Sequence, residues 1–245
     1  GERIPIGINN FGQVIYWDLN NHATPHMLIC GATGSGKSVS IISTVEYALS
    51  SGIERIYIFD PKYEFCDYNT HTNVMVYNEI EDIEEQMRNL VDDMQNRAKK
   101  GMKVKTLVVF DEFADAVAAS KSGPELDIKE QVVTGINTKG MPKIELKTVG
   151  RLKSLEENMK ILLQKGRSLG FRIIAATQRA SVNVITGDAK VNFPVQICFR
   201  VPKEIDSKVV LDEAGAETLN GMGDGLMKSP EYLNTVRFQG FYKAI

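Results

Sequence analysis

Gly31-Ala32-Thr33-Gly34-Ser35-Gly36-Lys37-Ser38 follows directly on the apolar run Met27-Leu28-Ile29-Cys30. It matches every fixed position of the pattern GxxxxGK[ST], and the apolar run supplies the strand that should precede it. The spacing has a physical basis. Glycines admit backbone conformations that a β-carbon obstructs, so successive N–H groups can turn inward around phosphate oxygens at the positive end of the next helix. Thr33, Gly34, Ser35, Gly36, Lys37, Ser38 and Val39 are therefore the expected nucleotide-binding segment. Lys37 adds the charge that reaches the β- and γ-phosphates, and the Ser38 hydroxyl is placed to ligate the Mg²⁺ that bridges them.

Working outward, Val39, Ile41, Ile42, Val45 and Leu49 recur at helical spacing, with Gly52 where a helix would stop. Arg55 to Phe59 then reads as a buried strand with a functional tip, Asp60-Pro61-Lys62. Ile83, Met87, Leu90, Val91 and Met94 share one face of a helix from about 81 to 99, with the acids of Glu79 to Glu85 in its first turns. Further strands are expected at 106–110, 173–177 and 195–199, with a helix at about 154–168. This alternation predicts an α/β fold with a mostly parallel central sheet and helices on both faces.

The 245 residues are read as one domain, 1–245. Residues 120–150 interrupt the rhythm with Gly123, Pro124, Gly135, Gly140, Pro142 and interspersed lysines, and read as a loop or insertion. Formal net charge is −2, which excludes a globally basic surface for polyanions and leaves only local sites. Three scattered cysteines, Cys30, Cys66 and Cys198, fit core thiols in a reducing, cytoplasmic setting better than a disulfide framework or a zinc site. No apolar run approaches the length of a membrane span. His22, His26 and His71 lack metal-ligand spacing and read as surface or capping residues; Tyr16 and Trp17 read as core or edge aromatics.

Thr106-Leu107-Val108-Val109-Phe110-Asp111-Glu112 has the form of a Walker B strand, which carries two acids to the ligand-binding carboxyl edge of a sheet. Asp111 is expected to hold Mg²⁺ and Glu112 to orient and activate the attacking water. Ile173 to Thr177 ends in Gln178, placed to reach the γ-phosphate or that water. Positive charge supplied by a neighbouring subunit is one solution for the developing phosphate charge, and Arg167, Arg172 and Arg179 are all candidates.

With these motifs in place, the chain resembles the motor domain of the FtsK/SpoIIIE family over almost its whole length. The resemblance is carried by Pro25 to Cys30 ahead of the glycine-rich loop, by Asp60-Pro61-Lys62, and by Asp111-Glu112-Phe113-Ala114-Asp115. It continues through Ala176-Thr177-Gln178-Arg179, Ser181-Val182, Val184-Ile185-Thr186-Gly187, Ile205-Asp206-Ser207 and Gly221-Met222-Gly223-Asp224. It implies a RecA-like P-loop fold and an ATP-driven translocase of double-stranded DNA. The active form would be a homo-oligomeric, hexameric ring with ATP at subunit interfaces. It places Arg167, in Lys165-Gly166-Arg167, facing a neighbour's nucleotide, and Arg179 and Lys190 on the DNA backbone. Ahead of Ile205 the family often has lysine where this chain has Glu204, so Lys203 is the substitute. Recruitment modules or a membrane tether would lie outside this chain. Protein-secretion or conjugative coupling ATPases of the same superfamily are the alternative, and a catalytically silent nucleotide-binding scaffold is a further one that intact Lys37, Ser38, Asp111 and Glu112 oppose.

Overall fold

A computed structural model describes residues 3–122, 127–180 and 190–241, so the segment Ser181-Val182 and Val184-Ile185-Thr186-Gly187 lies outside the described residues. The strands are β1 (Arg3–Asn9), β2 (Val14–Asp18), β3 (His26–Cys30), β4 (Arg55–Phe59), β5 (Val74–Tyr77), β6 (Thr106–Phe110), β7 (Asp127–Ile136), β8 (Pro142–Arg151), β9 (Phe171–Thr177), β10 (Val195–Phe199), β11 (Asp224–Lys228) and β12 (Val236–Gly240). The helices are α1 (Lys37–Ser50), α2 (Ile80–Lys100), α3 (Phe113–Ser122), α4 (Leu155–Lys165) and α5 (Glu204–Leu211).

Ten strands form one sheet in the order β2-β1-β12-β11-β10-β3-β9-β6-β4-β5. From β10 to β5 every neighbouring pair is parallel. Alternate residues of each inner strand feed two separate cores, which is why these strands read as unbroken apolar runs. Leu28, Cys30, Val108, Phe110 and Ala175 face α2, α3, α4 and α5. Met27, Ile29, Leu107, Val109 and Ile174 face α1. The periodic residues of α1 and α2 fall where the sequence puts them: Ile41 and Val45 in one core, Met87 and Leu90 in the other. Among the described residues no helix is long and apolar enough to cross a membrane.

The antiparallel part of the sheet is less apparent in the sequence. β1 and β2 pair as a hairpin, β1 continues onto β12, and β11 joins β12 to β10, all antiparallel. Trp17 is fully enclosed there and donates its indole N–H to Thr24 O at 2.7 Å. Tyr16 packs beneath the Arg3 guanidinium, 4.0 Å from its ring centre. Cys30 and Cys198 are buried, whereas Cys66 is exposed and belongs to no core.

Within the stretch 120–150 read as a loop or insertion, residues 127–151 form a hairpin rather than a loop. β7 and β8 pair antiparallel as a separate two-stranded sheet, from Asp127 opposite Arg151 to Ile136 opposite Pro142. The tight end is built by Asn137, whose side-chain oxygen accepts from the N–H groups of Lys139 and Met141. Register shifts fall between Ile128 and Lys129 and between Val133 and Gly135. Each adds a residue that breaks the period-two alternation, which is why the sequence shows no sustained strand pattern. Val133, Ile144 and Leu146 share one face of this hairpin and are 63%, 60% and 67% exposed.

A fully buried aliphatic side chain contributes about 1.5–3 kcal/mol, and this hairpin contributes almost none to the main core. Replacing residues 128–150 by a short Gly-Ser link between Asp127 and Arg151, which already pair across the hairpin, should lower the thermal midpoint by less than ~3 °C. A larger drop in a calorimetric scan would show that the hairpin carries core packing.

Candidate nucleotide-binding site

The glycine-rich loop leaves β3 at the carboxyl edge of the sheet and enters α1. Gly36 forms the amino-terminal cap of that helix with φ of 106°, and a β-carbon there would meet Gly223 N at 2.5 Å, so the position admits only glycine. Lys37 then begins α1 and points down into the sheet, 3% exposed. Its ammonium contacts Asp111 Oδ1 at 2.7 Å and Glu112 Oε1 at 3.0 Å. Burial works against the Lys37 charge, and the two carboxylates outweigh it, holding its pKa above the ordinary lysine value. Burial pushes the Asp111 carboxyl up, with Lys37 opposing.

Strand order explains how the acids and the amide meet. β9 lies between β3 and β6, so the tip of β9 stands between the glycine-rich loop and Asp111-Glu112. Gln178 donates its backbone N–H to Glu112 Oε2 at 3.3 Å. Glu112 is 1% exposed and adopts φ of 50°, a left-handed conformation that a non-glycine residue holds only where its surroundings enforce it. Its carboxylate is thereby fixed from two sides, by Lys37 and by Gln178.

The β4 tip adds groups that the sequence motifs leave unassigned. Asp60 is fully buried, and its carboxylate accepts from the N–H groups of Glu64 and Phe65 at 2.9 Å each, so it shapes the turn rather than facing the cavity. That turn delivers Lys62 to within 3.5 Å of Gln178 Oε1 and sets Glu64 Oε2 3.0 Å from Ser38 Oγ. No motif spacing announces Glu64; only the fold brings it to Ser38.

A cavity of about 530 Å³ opens over the loop, lined by Thr33, Gly34, Gly36, Lys37, Ser38, Val39, Glu64 and Gln178. Its opposite wall is Met222, Gly223, Gln239, Gly240 and Phe241. Gly223 N donates to Ser35 O at 2.9 Å and Met222 N to Gly34 O at 3.2 Å. The Gly221-Met222-Gly223 turn therefore braces the glycine-rich loop, and its two glycines are the only sequence signal of that role. The Asp224 carboxyl, its pKa held low chiefly by Arg237, accepts from that guanidinium at 3.0 and 2.7 Å and from Asn220 N–H at 2.8 Å, tying the start of the same turn to β12. The residues fit a divalent cation as well: Asp111 Oδ2 is buried with no protein partner among the described residues, and the Ser38 hydroxyl faces the cavity.

The three candidate arginines separate. Arg172 is largely buried and donates to the backbone oxygens of Leu19, Arg167 and Phe171, so it is a structural tie. Arg179 follows β9 at the nucleotide edge, exposed, with Asp115 at 3.9 Å. Arg167 lies in a 3-10 turn, Arg167–Leu169, because α4 stops at Lys165 rather than continuing to 168. That turn enters the opposite, amino edge of β9, whose seven residues span about 23 Å. Lys203 caps α5 at the carboxyl edge and is exposed, whereas Lys190 precedes β10 and pairs with Asp212 at 2.7 Å, leaving its side chain 13% exposed. Arg179 and Lys203 thus share an edge that Lys190 does not.

Fold and site together define a P-loop ATPase domain with a strand inserted between its lysine-bearing and acid-bearing strands. The FtsK/SpoIIIE family model matches residues 3–182, and the chain belongs to that family. It is 34% identical to DNA translocase FtsK of Leptospira interrogans, an alignment covering 98% of this chain and 25% of that protein. The chain thus spans about a quarter of that relative. The structure of the pCW3 conjugation coupling protein TcpA with ATPγS superposes with a TM-score of 0.73 at 26% identity, over 98% of this chain and 66% of the other. The cytoplasmic domain of the type VII secretion ATPase EccC of Thermomonospora curvata shares the fold, with a TM-score of 0.76 at 19% identity over 98% of this chain and 28% of that one.

His26 is neither a surface nor a capping residue. It is 1% exposed; its Nε2 donates to Leu163 O at 2.8 Å and its Nδ1 accepts from Ile173 N at 3.1 Å, tying α4 and β9 together beneath Arg167. Burial lowers its pKa from 6.5 to about 4. The unfolded chain therefore binds this proton first, and stability falls as pH drops from about 6.5 to 4, by about 3 kcal/mol in total. Urea titrations across that window should show this slope, and His26→Gln should flatten it. An unchanged slope in the variant would exclude His26 as its source.

Proposed function

We propose that this chain is the ATP-hydrolysing motor of a double-stranded DNA translocase, acting as a hexameric ring with each nucleotide between two subunits. The observation that carries the reading is Glu112: buried, held by Lys37 and the Gln178 amide, and beside Asp111. A carboxylate fixed in this way can orient a water and take its proton. Thr33 to Val39 cradle the phosphates, and Lys37 turns its charge toward the β- and γ-phosphates. Ser38 and Asp111 hold Mg²⁺, which when bound neutralises phosphate charge. Gln178, touching Glu112 through its backbone and Lys62 through its side chain, links the state of the phosphate site to the β4 and β9 tips.

Arg167 cannot serve its own chain's nucleotide across the full length of β9. This supports action on a neighbour's nucleotide. Its surroundings suit an anion: a cavity of about 220 Å³ at the amino edge is lined by Arg167, Arg172, Lys103 and Lys105, with Glu54 as the acid. Arg179 and Lys203 are assigned to the DNA backbone, and Lys190 joins them only if its bond to Asp212 opens. The relatives named DNA translocase support DNA as the cargo.

Glu112→Gln should bind ATP and lose turnover by at least about 100-fold; retained turnover in a coupled phosphate-release assay would remove Glu112 from the role of base. Hydrolysis should rise with duplex DNA length, and the contacts should weaken with salt. Indifference to DNA would point instead to a polypeptide cargo. Lys37→Ala and Arg167→Ala should each be inert alone, and mixing them should restore part of the activity, because some mixed interfaces pair an intact Lys37 with an intact Arg167. No recovery on mixing would place Arg167 outside the shared site.

A further inference from the structure

The nucleotide cavity has two unlike ends. Lys37, paired behind the wall with Asp111 and Glu112, brings charge to one. The other is walled by Met222 and by Gln239 to Phe241, from the end of the chain. This wall is built from fixed backbone: Gly240 N donates to Gly223 O at 2.8 Å, and the same turn is bonded to the glycine-rich loop. Met222 holds φ of 54° and is 85% exposed. A backbone conformation that costs free energy, spent on presenting a thioether at a cavity rim, is placed for an apolar ring surface. Val39, 41% exposed, stands on the loop side of the same cavity, and Phe241 lines it as well.

Gln239 supplies the polar contact. Its Nε2 donates to Met222 O at 2.8 Å. A carbonyl oxygen only accepts, so this bond settles which end of the amide is nitrogen and turns Oε1 away from the turn. No protein donor among the described residues meets Oε1. Adenine offers an amino donor at C6, and guanine an acceptor oxygen at the same corner. A glutamine amide complements the N6/N7 edge of adenine and sets acceptor against acceptor with guanine.

We infer that Met222, Val39 and Phe241 form the nucleobase subsite and that Gln239, oriented by Met222 O, selects adenine over guanine. The inference rests on the reading of this cavity as the ATP site. It is tested by equilibrium competition against a fluorescent ATP analogue, using ATP, GTP and inorganic tripolyphosphate on the full chain. The unmodified protein should prefer ATP to GTP by about tenfold or more, and tripolyphosphate should compete far more weakly than ATP. Gln239→Met should lose most of the preference by weakening ATP while leaving tripolyphosphate unchanged.

An ATP-to-GTP ratio that survives Gln239→Met overturns the assignment, as does tripolyphosphate competing as well as ATP. Should Gln239→Met lose tripolyphosphate too, its wall has collapsed onto the loop, and Met222→Ala decides. Weaker ATP with unchanged tripolyphosphate then supports the subsite, and no change in either overturns it. A protein that shows this discrimination but hydrolyses nothing would defeat the proposed motor while leaving the base subsite in place.

Discussion

The contact of the Lys37 ammonium with the Asp111 and Glu112 carboxylates is the constraint around which the molecule is arranged. All three side chains are at most 4% exposed. Buried charges cost several kcal/mol each unless matched at close range, and removing one partner leaves the others uncompensated. The match depends on β6 stopping two residues short of β3, since Phe110 and Leu28 both lie opposite Ala175 of the intervening β9, so that Asp111 and Glu112 run alongside the last residues of β3. It also depends on a helix starting on Lys37 itself. One positive and two negative charges leave the cluster one short of neutral, and Asp111 Oδ2 is the atom left without a partner. That is the electrostatic setting in which a divalent cation is welcome, and in which Lys37 can exchange carboxylate partners for phosphate.

The sheet then divides labour by its two edges. Its carboxyl edge collects the glycine-rich loop, the acids, Gln178 and the β4 tip. Its amino edge collects Arg167, Arg172, Lys103 and Lys105. Parallel strands make this division unavoidable, since every strand ends on the same side and every returning helix reaches the other. In the proposed ring, the cationic edge of one chain would complete the nucleotide edge of the next. The antiparallel strands β11 and β12 add a different kind of support, because their turn is hydrogen-bonded directly to the glycine-rich loop.

Elements buried on both faces or carrying an uninterrupted helical stripe were legible in the sequence: β4, β6, β9, β10, α1 and α2 lie within a residue or two of their expected bounds. The misreadings have local causes. Two register shifts hide the β7–β8 hairpin by breaking its alternation. His26 looks like a surface histidine because nothing in its neighbours announces that both ring nitrogens will meet backbone groups from α4 and β9. Asp60 looks like a functional tip and is a turn anchor, since its carboxylate accepts from the backbone N–H groups of Glu64 and Phe65, just after it in the chain.

What depends on consecutive residues is determined by the sequence alone. The glycine-rich loop opening a helix, the two acids at a strand end and the parallel α/β framework follow from spacing, because backbone N–H groups and strand ends are local properties. Tertiary structure alone decided which distant groups complete the site. Glu64 meets Ser38, Met222 and Gly223 brace the loop, and Gln239 turns its amide oxygen away from that brace, all through contacts between segments far apart in the chain. It also decided that Arg167 stands a strand's length from its own nucleotide site. Hydrogen bonds and charge pairs act over a few ångströms of space, and only the folded sheet sets which residues come that close.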